Sequence, residues 1–309
     1  MVNNFAVRLP VDSAILRATS VVLDCIKEAR PSVLVIQFIR FTAGAALAIR
    51  ITGHWVPLRA ILGVLSWELA IVWTYLYNGV MDLREDRVNG SRRPIASGML
   101  TRSTAIRCAQ GAAALSLVCA GLLGVPTTCA VLAMLLIGWQ YSASPGRLKA
   151  RPVGTAATGA ALGFLAYLAG FLGQAGSSWR HPTAEALLFV LVMSAWMALV
   201  GTPAKDLPDA QGDAAAGRKT LVLLWGENAT RRAMAAAAVT LAITFVVAAA
   251  VSTPALRWPA VTLAAGSLSI TLAALSQISA GDRSRRRRPY RIFMITQYLV
   301  NICLLMVTA

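Results

Sequence analysis

The sequence predicts an all-α, polytopic membrane protein: a bundle of nine transmembrane helices in which two pseudo-related four-helix halves are completed by a ninth helix. Three observations carry that reading. Only 14% of the 309 residues are charged and 57% are hydrophobic, whereas soluble domains carry roughly a quarter charged residues. Apolar windows long enough to cross a hydrocarbon core, about 20 residues, recur near 32–51, 57–79, 104–122, 125–142, 153–174, 183–203, 231–252, 256–276 and 290–308. Basic residues collect on the N-terminal segment and on every second connection. Of 29 Lys and Arg, all but Arg40, Arg50, Arg59, Arg107, Arg180 and Arg257 lie on those segments or at the span ends that adjoin them. Positive charge accumulates on cytoplasmic loops, so the N-terminus is expected in the cytoplasm and the C-terminus across the membrane, which is expected to be a bacterial cell membrane.

Taken in order, residues 1–30 form a cytoplasmic segment and residues 31–309 the transmembrane domain. Residues 11–29 are amphipathic and suited to lie at the interface, and no compact apolar core with a small-residue cleavage site marks a removable signal peptide. Gln37 and Arg40 in the first span and Glu68 in the second are costly in hydrocarbon, about 2.5–3.5 kcal/mol for a charge at mid-bilayer, so an Arg40–Glu68 salt bridge is the expected solution. Gly154, Gly159, Gly163 and Gly170 mark the fifth span for close helix contact. Trp73, Trp139, Trp196 and Trp225 sit at span ends and read as an interfacial belt. His54 and His181 fall on the non-cytoplasmic side. The five cysteines show neither CxxC nor CxxxH spacing, and neither a disulfide framework nor a metal site follows from them. A net charge of +16 would suit nucleic acid in a soluble chain. Here the run Arg285–Arg288 lies between two spans and reads as an orientation and anionic-lipid signal, so membrane lipids are expected as partners and nucleic acid is not.

Carboxylates contribute little to orientation, so the acidic residues among these basic loops need another explanation. After the second span, Asn78, Asp82 and Asp86 are spaced four apart, which stacks three oxygen ligands on one helix face. Like charges at this spacing repel one another, and a cation between them removes the penalty. After the sixth span, Asp206, Asp209 and Asp213 form a second row at spacings of three and four. Magnesium favours carboxylate oxygens together with water and substrate phosphates, so two such rows on one membrane face point to metal-assisted handling of a phosphorylated substrate.

At these residues the chain resembles the UbiA superfamily of intramembrane prenyltransferases. Arg30-Pro31 opens the first span as in that family, and Asn78, Asp82 and Asp86 fit its NxxxDxxxD motif. Arg93-Pro94 through Gly98 fits the tail of that motif. Tyr141-Ser142-Ala143-Ser144-Pro145-Gly146-Arg147-Leu148-Lys149 looks like its YSxPPxRLK segment. Lys205-Asp206 through Asp213 and on to Gly226 looks like its second acidic segment. The resemblance implies loss of diphosphate from an allylic isoprenyl diphosphate and capture of the resulting carbocation. It implies two Mg2+ ions, one held by Asn78, Asp82 and Asp86 and one by Asp206, Asp209 and Asp213. Arg93, Lys149, Lys205, Arg147 and Arg218 would contact the diphosphate, and Tyr141 would guide the cation. Gly79 and Ser144 depart from the pattern, the first replacing an Asp and the second a Pro.

Two readings of the product follow from this resemblance. In the first, an aromatic or other electron-rich lipophilic acceptor captures the cation while a lateral apolar cavity holds the tail. In the second, a membrane terpene cyclase, an internal double bond captures it and no acceptor is needed. A transporter would concentrate ionisable groups near the bilayer midplane, whereas here they gather at one face.

Overall fold

Proline sets the start of most of the long helices. Its fixed φ suits the first turn and its missing N–H falls where no partner exists. The computed structural model describes residues 10–88, 90–143, 147–176 and 182–308. Helix α1 (Pro10–Glu28) precedes α2 (Pro31–Thr52) and α3 (Pro57–Met81). Short helices α4 (Leu83–Val88) and α5 (Pro94–Ser97) lead into α6 (Arg102–Leu123), α7 (Val125–Ser142) and α8 (Pro152–Ala175).

The sixth span is interrupted. It starts as α9 (Ala184–Trp196), widens into a π-helical turn at Met197–Gly201, and resumes as α10 (Thr202–Asp206). A 3₁₀ turn at Leu207–Asp209 and α11 (Ala210–Ala215) follow. Pro203 explains the widening: it offers no N–H to the turn before it and its ring would collide with the carbonyl there. Helices α12 (Leu221–Trp225), α13 (Glu227–Val251), α14 (Arg257–Leu275), α15 (Arg283–Arg286) and α16 (Arg288–Thr308) complete the chain. Among the described residues, nine helical segments are long and apolar enough to cross a membrane, each matching an expected span. Arg180, His181 and Ser144-Pro145-Gly146 lie outside the described residues.

The tightest crossing joins α2 to α8. A Cβ on Gly170 would meet the backbone of Phe41, and one on Gly44 the backbone of Tyr167, so the two main chains touch directly. Gly159 and Gly163 face Met197, Ser194 and Thr202 at ordinary contact distance. Around this crossing, Tyr167, Phe189, Phe245, Leu263 and Val300 form the core of the later helices. Phe41, Trp67, Ile71, Val131 and Met134 form that of the earlier ones. A third cluster, Cys25, Leu76, Ile95 and Leu100, docks α1 against α3 and α5.

Two expectations fail inside the bundle. Arg40, 1% exposed, bonds to Gln297 on α16 and not to Glu68. Depth explains the choice. At 1.5 Å rise per residue, Arg40 lies roughly 14 Å in from the start of α2 and Glu68 roughly 20 Å in from the same face along α3. Gln297 belongs to a chain of buried polar groups in which the Tyr167 hydroxyl donates to Asn301 Oδ1 at 2.8 Å. Asn301 in turn donates to the Gln297 carbonyl at 2.7 Å. Glu68 Oε1 has no hydrogen-bond partner among the described residues. Trp196 is fully buried and stacks on Phe293, with centroids 6.0 Å apart, so it belongs to the core and not to a belt. Trp139 and Trp225 are exposed as a belt requires.

Candidate active site

The first acidic row survives a break in its helix. Asp82 ends α3, donating its N–H to the Asn78 carbonyl, and Asp86 donates its own to the Asp82 carbonyl, both at 2.8 Å. The four-residue repeat therefore passes through the α3–α4 junction and keeps the three side chains stacked. The Asn78 amide nitrogen donates to Ser142 Oγ at 2.9 Å, which leaves its oxygen free to act as a ligand.

Basic side chains from distant segments close over this row. Lys149, held on a 3₁₀ turn between α7 and α8, bonds to Asp82. Arg147 reaches Glu85 at 3.0 Å. Arg93, at the start of α5, lies 2.9 Å from Asp86 and 2.6 Å from Glu28 on α1. Arg218, beyond α11, lies 2.6 Å from Glu85, 3.3 Å from Asp82 and 3.3 Å from Asp213. One guanidinium thus joins the carboxylates of both rows.

The second row is helical where a loop was expected, and its members part company. Asp206 and Asp213 are buried, 4% and 8% exposed. Asp206 lies 3.4 Å from Lys205. Asp209, on the 3₁₀ turn beside Pro208, accepts from Arg283 at 2.7 Å. Tyr141, on the last turn of α7, lies within electrostatic reach of both Lys205 and Arg218. All twelve side chains that the sequence singled out therefore border one basic and acidic centre, with Asp209 at its outer edge. Sequence reasoning assigned no role to Glu28 or Glu85. Glu85 is visible as an acid beside the first motif, and the signal for Glu28 is the missing side chain at Gly79.

Burial dominates the proton equilibria at the first row. It raises the pKa of Asp86 and of Glu28 above the ordinary carboxylate values, with the charge of Arg93 opposing it in both. It lowers that of Lys149, against the pull of Asp82. A dry site strengthens every interaction made within it.

Among the described residues no three acidic, histidine or cysteine side chains gather closely enough to hold a metal by themselves, because cations are interleaved with the acids. The donor chemistry nevertheless fits magnesium. Every candidate is a hard oxygen, and that ion is commonly held by one or two carboxylates with substrate phosphates supplying the rest. Arg218 already demonstrates that a cation placed here engages both rows.

Comparison with known proteins agrees with this geometry. Residues 38–300 match the UbiA prenyltransferase family. The chain belongs to that family. It is 30% identical over 241 residues to the digeranylgeranylglyceryl phosphate synthase of Methanopyrus kandleri, covering 74% of this chain and 81% of the relative. It is 31% identical over 173 residues to a probable homogentisate phytyltransferase 2, chloroplastic, of Oryza sativa subsp. japonica, covering 52% of this chain and 43% of that one. The fold matches a UbiA homolog from Archaeoglobus fulgidus bound to GPP and Mg2+, with a TM-score of 0.72 at 20% identity over 92% of this chain and 99% of the other. It also matches the same homolog bound to DMAPP and Mg2+, with a TM-score of 0.69 at 19% identity over 90% and 99%. The protein is a membrane-embedded member of a prenyltransferase family.

Proposed function

We propose that this chain ionises an allylic isoprenyl diphosphate at one membrane face and transfers the isoprenyl group to an aromatic or other electron-rich lipophilic acceptor. The observation that carries the reading is Arg218, which bonds at once to Asp82 and Glu85 of the first half and Asp213 of the second. Rows joined by one cation stand close enough to act on one diphosphate.

Asn78, Asp82 and Asp86 are the ligands proposed for one Mg2+, and Asp206, Asp209 and Asp213 those for another. When bound, the metals would neutralise charge on the departing diphosphate. Arg93, Lys149, Lys205, Arg147 and Arg218 are the proposed diphosphate contacts. Each except Lys205 is held by an acid beyond its immediate sequence neighbours, so acids engaged by metal would leave these cations free for phosphate oxygens. Donors fixed where negative charge develops stabilise the leaving group without reorganising. Tyr141 is the residue proposed to guide the developing cation. The near-complete burial of Asp82, Asp206 and Lys149 supports a dry site, which such a cation needs because water would quench it.

Named relatives that are a synthase of a prenylated glyceryl phosphate and a phytyltransferase support transfer over cyclisation. The basic loops support a cytoplasmic site and N-terminus in a bacterial cell membrane, with α1 at the interface as a segment apart from the transmembrane domain. The test is product analysis after incubation with geranyl, farnesyl or geranylgeranyl diphosphate and Mg2+, with and without phenolic and glyceryl phosphate acceptors. Turnover that waits for an acceptor is expected. A cyclic hydrocarbon formed without one would replace this reading with the cyclase.

A further inference from the structure

Gly79 faces inward between Asn78 and the α5 turn, and the space where its side chain would stand is filled from another helix. A Cβ there would collide with Glu28 Oε1 and come within 3.1 Å of the Glu28 carboxyl carbon and 3.0 Å of Ile95 Cδ1. Glu28 is the last residue of α1 and is completely buried. A buried carboxylate persists only if paired and hydrogen-bonded, and this one is both. Its Oε1 lies 2.6 Å from Arg93 Nη2. Its Oε2 accepts the Ile95 N–H at 3.0 Å, and its carbonyl accepts from Arg93 at 3.3 Å.

We infer that Glu28, delivered through the gap at Gly79, is a positioning residue that holds the Arg93 guanidinium toward the diphosphate and makes α1 part of the active site. This rests on the assignment of Arg93 as a diphosphate contact. Arg93 has two carboxylate partners, Asp86 at 2.9 Å and Glu28. Asp86 belongs to the row proposed as metal ligands and cannot be relied on to tether Arg93 in the loaded enzyme. Glu28 has no such competing duty. Its other bond is to the α5 backbone, the element that carries Arg93, so one carboxylate fixes both the side chain and its platform. The α1–α2 junction is shaped for this delivery: Arg30, with φ of 62°, is the one non-glycine among the described residues in the left-handed region, a conformation that persists only where surrounding contacts hold it.

The test uses the full-length protein in lipid nanodiscs, with an intrinsic reporter of α1 docking. Cys25 on α1 is 7% exposed, and burial pushes its thiol up to about 12, so the docked helix resists maleimide. With the other four cysteines replaced by Ala, Glu28→Gln keeps the side-chain shape and should leave Cys25 protected. It should raise KM for geranyl diphosphate about tenfold with kcat within about twofold, since a loosened binding contact appears mainly in KM. Gly79→Ala, which displaces the carboxylate, should reproduce that KM. Binding of inorganic diphosphate by calorimetry should weaken in parallel. In an Arg93→Ala background, Glu28→Gln should add nothing, because the two residues act as one unit. Unchanged KM and diphosphate affinity in Glu28→Gln, effects that add to those of Arg93→Ala, or rapid Cys25 labelling that turns the effect into undocking would each overturn the inference. Absence of diphosphate release by the unaltered protein would instead overturn the proposed function.

Discussion

The two acidic rows occupy equivalent ends of their halves yet are built differently. The first is clamped from outside: Lys149 and Arg147 arrive from the α7–α8 connection, Arg93 from α5, Arg218 from beyond α11. The buried pair of the second is held more locally, Asp206 by its neighbour Lys205 and Asp213 by Arg218 five residues on, while the outer Asp209 meets Arg283 of α15. Its helix also carries a π-turn and a 3₁₀ turn within two turns of the acids. A row clamped by distant segments supports the fold as well as the chemistry, whereas a locally held row serves the chemistry and can shift when the site fills.

The largest effects should separate these roles. Asp82→Ala and Asp206→Ala are both expected to abolish Mg2+-dependent diphosphate release, but only the first should damage the fold. Asp82→Ala leaves Lys149, 3% exposed, as an unpaired buried charge, a loss of about 3–5 kcal/mol. Lys205, whose side chain is 38% exposed, can turn to water when Asp206 is removed. Thermal unfolding in detergent checks this, and equal stability losses would erase the contrast. Next in size, Arg218→Ala should lower kcat by about 100-fold, the scale of losing one preorganised donor to a developing anion. Steady-state kinetics at saturating Mg2+ reads that loss directly.

A pH profile sharpens the same comparison. Asp86 holds its proton to higher pH than usual, so Mg2+ affinity should begin to fall with acidification well above about 3.9. Lys149 loses its proton early, so activity should decline on the alkaline side below about 10.4. For stability the sign of the Asp86 effect is opposite. A raised carboxylate pKa means that the folded state binds the proton more tightly than the unfolded chain, so this contribution is present at low pH and fades as pH rises through the raised value. The smallest effect is expected at Asp209, whose ion pair with Arg283 is largely exposed and contributes about 0–1 kcal/mol. Asp209→Asn should weaken Mg2+ binding less than Asp206→Asn, measured by the Mg2+ dependence of diphosphate release.

Much of this was legible in the sequence, for physical reasons that differ by feature. Spans follow from hydrocarbon thickness, and the first row from a four-residue repeat. The close crossing at Gly170 follows from residue size. Features that depend on which distant elements meet were not legible. Arg40 pairs with Gln297, more than two hundred residues away, because helix depth overrides charge complementarity to Glu68. Trp196 reads as a belt residue until α16 brings Phe293 against it and buries it. Gly79 reads as a lost carboxylate, and becomes room for Glu28 only once α1 is docked.

The most direct test of the central claim, that both rows act on one diphosphate, is single-turnover diphosphate release from a radiolabelled prenyl diphosphate. It should be measured with Asp82→Asn, Asp206→Asn and the double variant under Mg2+. Each single variant is expected to lose release as completely as the double, since either row alone leaves the leaving group half-neutralised. Partial losses that multiply in the double variant would contradict the account and make the rows independent.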